Sequence, residues 1–211
     1  MRLIIKKTDH FVDLNSNITA INIENGRIYR ELALNFNENI EIYDGDNLID
    51  ITKMASIISN PFQISLNEKK MLISMYKDLN SDIHDEERIL VSKIEQSFIE
   101  FMDKLVMDID YPIDYNETVD TTKLFQAFEV KFQEVDTSNY IELLISYIKL
   151  CVILCKSRLI FTFNLLSLLS IEEYELFLKE IELMDVYIVD FGMFKCDNIN
   201  VHYIDSDWFI I

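Results

Sequence analysis

Glycine and proline are nearly absent: three glycines and two prolines in 211 residues. Such scarcity excludes an architecture of many tight turns, a sandwich or a barrel, and favours long helices. It also excludes a phosphate-cradling glycine loop, which needs G-x-x-x-x-G-K-[ST] between a strand and a helix. The one stretch placed for it, IENGR, holds Gly26 alone, with no Lys-Ser/Thr after it, and the other glycines are Gly45 and Gly192. Cysteine is scarce too. Cys151 and Cys155 share a helical face, but no Cys or His pair lies near them to complete a metal site, and with Cys196 they read as reduced thiols of a cytoplasmic protein. His10, His84 and His202 are isolated, and none is assigned a role. Basic residues are outnumbered 19 to 37, for a net charge of -18. An average surface this acidic argues against nonspecific nucleic-acid binding. Three classes stay open: a merely soluble acidic protein, one that recruits divalent cations, and an acidic surface that mimics DNA. No signal peptide is visible, because Met1 leads into the strand-like RLIIKK. The most apolar segment, Tyr147 to Leu169, is interrupted by Lys149, Lys156, Arg158 and Asn164, short of the ~18 residues a membrane span needs.

What is present is a hydrophobic half of the chain, organised around residues 158–211. Leu159 to Phe163 and Val186 to Val189 are short apolar runs. Between them Ile171, Tyr174, Phe177, Leu178 and Ile181 keep helical spacing. Short apolar runs flanking an amphipathic helix predict a β-α-β unit with parallel strands buried on both faces. Ser170 and Glu173 form an S-x-x-E capping box that starts the helix. HYID and DWFII read as two further short strands. In the first 50 residues, RLIIKK, ITAINI, a helical Asn22 to Asn37 and NIEIYD with its DGDN turn predict β-β-α-β.

The middle reads as a helical insertion at 65–128, between core segments 1–64 and 129–211. Ser65 and Glu68 form a second S-x-x-E box opening a helix to about Leu79, with Leu72, Tyr76 and Leu79 on one side. A longer helix runs from about Glu86 to Met107, with a stripe of Leu90, Ile94, Phe98, Phe101 and Leu105. An intramolecular core and an oligomer interface give the same stripe. A short helix near Thr121 to Phe128 and a strand, VKFQ, then lead to a helix from Asn139 to Cys155. Ile141, Ile145, Ile148, Val152 and Cys155 share one face of it, its other faces are also apolar, and such a helix is buried.

Within the insertion lies the acidic loop DIDYPIDYNETVD. Asp108, Asp110, Asp114, Glu117 and Asp120 fall within thirteen residues. Hard cations such as calcium take six to eight oxygen ligands, and closely spaced carboxylates can supply them. The glycine and D-x-D-x-D-G pattern of an EF-hand are missing. A solvated acidic loop is the bland alternative. A two-metal nuclease site would use similar residues, together with a base or a lysine that this loop lacks.

YIKLCVILCKSRLIFTFN, followed by LLSIEEYELFLKEIELMDVYIVD and HYIDSDWFI, resembles the Csn-two family, the ring-forming DNA-end-binding proteins of type II-A CRISPR adaptation modules. NIEIYD and AFEVKFQE are similar to upstream pieces of that family, so the resemblance covers about Asn39 to Ile211. The chain departs from the pattern at SNPFQIS around Pro61, and keeps only Lys156 and Arg158 of a basic triplet. The resemblance implies an α/β fold: a mostly parallel sheet core like a degenerate P-loop ATPase, with an inserted α-helical domain. It implies a non-enzymatic cytoplasmic protein that forms a homotetrameric ring and binds calcium. The ring threads double-stranded DNA ends, acting in spacer acquisition beside the adaptation integrase and the effector nuclease. Asp114 and Glu117 match family carboxylates best. Duplex contacts would then fall to local lysines, Lys69, Lys70, Lys77 and Lys93 of the insertion, with Lys156 and Arg158. Two other classes compete: a metal-dependent nuclease and an acidic decoy that binds a basic protein.

Overall fold

The computed structural model describes residues 1–8, 11–133, 139–193 and 201–210. The chain divides into two compact units, Met1–Glu68 with Glu134–Ile211, and Lys69–Gln133. Cys196, His10 and the last residue of DWFII lie outside the described residues.

The first unit is α/β and holds two sheets. Strands β1 (Arg2–Ile5), β2 (Phe11–Asp13), β4 (Ile40–Asp44) and β5 (Asn47–Ile49) form an antiparallel sheet in the order β2-β1-β4-β5. Strands β3 (Ile18–Ile23), β6 (Ala55–Ile58), β7 (Leu159–Phe163), β8 (Tyr187–Gly192) and β9 (Val201–Ile204) form a parallel sheet in the order β6-β7-β8-β3-β9. β-β-α-β is therefore corrected at its start. Two three-residue strands, β2 and β5, are too short to show alternation, and the antiparallel sheet they complete is separate from the parallel one. Gly45, with φ 59°, sits at the first central position of the β4–β5 hairpin, where only glycine turns without strain. β6 also escaped the sequence reading, because its four residues show no run of their own.

The β-α-β unit is present: β7 and β8 pair in parallel, joined through helix α8 (Ile171–Glu182). The Ser170 hydroxyl accepts from Glu173 N at 3.2 Å, and Glu173 Oε2 accepts from Ser170 N at 2.8 Å. Phe177 and Ile181 are buried, whereas Ile171 is exposed. DWFII is not a strand. The Asp205 carboxylate accepts from the backbone N–H of Asp207 and of Phe209, which bends the chain and leaves a single bridge between Ile204 and Ile210.

Helices α1 (Gly26–Leu34), α2 (Phe36–Asn39), α3 (Ile51–Met54) and α7 (Tyr140–Ile153) complete this unit with α8. α7 buries Ile141, Leu144, Ile145, Tyr147, Ile148 and Cys151, while Ile153 is exposed. Phe36, Phe161, Phe163 and Phe191 pack ring to ring in the core, with centroids 4.7–6.3 Å apart.

The second unit holds α4 (Lys69–Ser81), α5 (Asp85–Val106) and α6 (Thr121–Ala127). The Ser65 box does not cap α4. Ser65 Oγ accepts from Asn67 N, and Glu68 accepts instead from the Tyr147 hydroxyl at 2.8 Å, so the helix begins at Lys69. Its buried face is Met71, Met75 and Tyr76, and Leu79 is exposed. VKFQ forms no strand, because Glu129 turns left-handed at φ 50° and the Val130 carbonyl accepts from the Tyr76 hydroxyl.

Candidate functional site

The phosphate-loop position is the junction of β3 and α1. Only Glu24 and Asn25 separate the two elements, and the Asn25 side chain accepts from Arg27 N at 2.8 Å, capping the helix. A methyl group added at Gly26 would meet Met193 at ordinary contact distance, and Gly26 has no left-handed φ, so neither close approach nor strain explains this glycine.

The carboxyl ends of β7 and β8 carry a buried polar network instead. Asp190 is fully buried. Its Oδ1 accepts from the Thr162 hydroxyl at 2.7 Å and from Leu165 N at 3.0 Å, and its Oδ2 from Leu166 N at 2.9 Å. Burial pushes its carboxyl above the ordinary range, and the Thr162 hydroxyl and the two backbone N–H groups pull the other way. Asn164, left-handed at φ 56°, donates to the Tyr29 hydroxyl at 2.7 Å and accepts from Met193 N at 2.9 Å. Burial, then the Asp190 charge, raises the Tyr29 pKa. Burial, with Glu173 and Asp190 adding to it, pushes Tyr140 up to about 12. Sequence reasoning assigned no role to this network. Its signal was the polar residue closing each buried run, Asn164 after LIFTF and Asp190 after YIV. Both Asp190 oxygens are occupied by the turn after β7, so the carboxylate holds that turn.

The acidic segment belongs to the helical unit and is fastened to α5. The Tyr115 hydroxyl donates to Asp103 at 2.8 Å, and Val119 N donates to Glu95 at 2.9 Å. The Tyr115 ring meets Phe98 edge-on, and the Thr121 hydroxyl bonds to the Asn80 side chain. Asp108, Asp110, Asp114, Glu117 and Asp120 all stay exposed. Asp120 is occupied in capping α6, accepting from Thr122 N and Lys123 N. A ready-made calcium site needs several oxygens converging on one point. Among the described residues, no three His, Cys, Asp or Glu side chains form such a group. The segment therefore does not fit a preformed calcium site within one chain.

The candidate duplex contacts fall in both units. Lys69, Lys70 and Lys77 are exposed on α4, with Lys70 and Lys77 on the side away from Met71 and Met75. Lys93 is exposed on α5. Lys156, at φ 54°, and Arg158 are exposed on the turn between α7 and β7, on either side of buried Ser157, whose hydroxyl bonds to that of Ser56 at 2.8 Å. The fold thus turns Lys156 and Arg158 outward by burying the residue between them.

Among the described residues, Cys151, which is buried, and Cys155, which is half-buried, form no disulfide. Among the described residues, no helix is long and apolar enough to cross a membrane. Residues 28–208 match the family described as CRISPR-associated protein (Cas_Csn2). No curated protein matches the chain.

Proposed function

Because the chain belongs to the Cas_Csn2 family of CRISPR-associated proteins, we propose that it binds the ends of double-stranded DNA as a homo-oligomeric ring, a tetramer, and supports spacer acquisition without catalysing a reaction. Family membership over residues 28–208 carries this reading. The adaptation integrase and the type II effector nuclease are the partners it entails, in the cytoplasm. We take the parallel sheet as a P-loop ATPase-like core without its nucleotide motif, a reading favoured by the two-residue β3–α1 connection.

A net charge of -18 means that duplex must meet a local basic lining. Screening over a Debye length of ~8 Å at physiological salt lets such a lining act despite an acidic exterior. Lys69, Lys70, Lys77 and Lys93, repeated by ring symmetry, are the side chains proposed for it, with Lys156 and Arg158 as further contacts. These groups meet phosphates, so binding ignores base sequence and weakens steeply with salt. Calcium belongs to the same proposal, with Asp108, Asp110, Asp114, Glu117 and Asp120 as its oxygen donors. Since these do not converge within one chain, no step of duplex binding is routed through the metal.

The test is a gel-shift comparison of linear and covalently closed duplex, with calcium or with chelator. Binding to linear duplex alone is expected, because a closed ring cannot thread a circle. Equal binding to both overturns threading. Binding that neither chelator nor Asp114→Ala with Glu117→Ala alters removes calcium. Cleavage of the duplex with magnesium or manganese would favour a nuclease, and no binding under any condition an acidic decoy.

A further inference from the structure

Where β2 runs through Asn15 and Ser16 into β3, beside the start of β9, the first unit opens a cleft of about 420 Å³. Small-molecule sites have volumes of roughly 300–1,000 Å³. Phe11, Asp13, Asn15, Thr19 and His202 are among the residues that line it. Thr19 is only 5% exposed, yet its hydroxyl has no hydrogen-bond partner among the described residues. Among those residues every side-chain polar atom sealed from solvent is paired, so the Thr19 hydroxyl faces the cleft. Burying a hydroxyl in this way is unfavourable unless something in the cleft bonds to it.

The lining decides the class of ligand. It holds one carboxylate and one imidazole, too few to ligate a metal, and no lysine or arginine. A phosphate here would face Asp13 with no cation of the cleft to offset it. Asp13 is itself balanced by a neighbour: Arg2 Nε stands 3.4 Å from Asp13 Oδ1, and the Arg2 guanidinium lies over the Phe11 ring, 4.9 Å from its centroid. The cleft is therefore close to neutral, which disfavours a cation as well. A neutral molecule rich in hydrogen-bonding groups fits. Thr19 and Asn15 can each donate and accept, as can a neutral imidazole at His202, and Asp13 Oδ2 can accept. Phe11 and Arg2 are flat groups already stacked, and a flat base extends such a stack, as unpaired bases do on aromatic rings and guanidinium planes.

We infer that this cleft binds a nucleobase, with its ring against Phe11, an exocyclic amino group donating to Asp13, and the Thr19 hydroxyl bonded to a ring nitrogen or carbonyl oxygen. Phosphates attached to the base stay outside. A free nucleoside and the unpaired last base of a DNA end present the same chemistry. The second source rests on the duplex-end reading above, and the first does not.

Calorimetry on the full chain, with cytidine, adenosine, uridine and ribose as probes, tests this. Cytidine and adenosine carry amino groups and should bind with a Kd of about 0.1 mM. Uridine should bind about tenfold more weakly, for want of the bond to Asp13, and ribose not at all. Thr19→Val should weaken cytidine binding about tenfold. It should leave the melting temperature of the unliganded protein unchanged or higher, because the hydroxyl it removes bonds to nothing there. Asp13→Asn, at an exposed position, should bring cytidine and adenosine to the level of uridine, and keeps the inference testable if Thr19→Val fails to fold. No binding of cytidine or adenosine overturns the inference. So does equal binding of uridine or ribose, or wild-type affinity in the folded variants. Gel shifts separate the two sources, with linear duplex ending in an unpaired adenosine against the same duplex ending in an abasic sugar. Tighter binding of the base-bearing end, lost in Thr19→Val, assigns the cleft to DNA ends. Equal binding of both ends by a chain that binds nucleosides assigns it to free nucleosides. Nucleoside binding with no duplex binding sinks the duplex-end reading alone, and duplex binding with no nucleoside binding sinks the cleft alone.

Discussion

Asp190 shows how a single side chain can fix a turn. It accepts one hydrogen bond from Thr162 of β7 and two at the start of the β7–α8 connection, from the backbone N–H groups of Leu165 and Leu166. Asp190→Ala leaves these donors buried without partners, so thermal or urea unfolding should show a loss of roughly 2–5 kcal/mol. Asp190→Asn keeps the shape but turns an amide NH2 towards donors, and should also destabilise. The pH dependence has a definite sign. A carboxyl whose pKa is raised on folding binds its proton more tightly in the native state than in the unfolded chain. Its contribution is therefore fully present below the ordinary carboxylate range and is lost as pH rises through the raised value. Relative to Asp190→Asn, the wild type should gain stability as pH falls from neutrality towards that range, and a gain on raising the pH would refute the assignment. The aspartate is visible in the sequence as the end of YIVD. Its burial is not, because that depends on Thr162 and the following turn arriving from 24–28 residues away.

At the scale of elements, the two S-x-x-E motifs separate local from tertiary control. Ser170 and Glu173 cap α8 in both directions, as the motif alone predicts. Ser170→Ala should cost about 1 kcal/mol in chemical denaturation. Ser65→Ala should cost little, because Ser65 caps no helix and Glu68 is held by Tyr147. Equal losses at the two serines would contradict this assignment. Periodicity found α5 to within a residue or two, since a 22-residue stripe leaves no other reading. What covers that stripe was open in the sequence, because spacing is the same for an internal and an external partner. VKFQ was misread for a related reason: its apolar residues alternate like a strand, but Tyr76 takes the Val130 carbonyl.

Over the whole molecule, the absence of a glycine loop and the short β3–α1 connection lead to one expectation. Calorimetry should detect no ATP binding up to millimolar nucleotide. Micromolar binding, lost on altering the chain around Gly26, would overturn it. The charge balance leads to another: the slope of log affinity for linear duplex against log salt should be steep and should flatten when Lys70 and Lys77 are changed together to Gln. An unchanged slope would exclude α4 from the lining.

The amino-acid sequence by itself determined the parallel β7–α8–β8 unit, the helical character of the middle and the lack of a glycine-rich phosphate-loop motif. Each follows from interactions within about thirty residues or from residue types that are missing. Only the tertiary structure decided that β1, β2, β4 and β5 stand apart as an antiparallel sheet, that Asp190 is buried and that α5 covers none of its stripe. These depend on which distant segment packs against which, and hydrophobic burial is non-directional: it rewards any apolar partner that removes area from water.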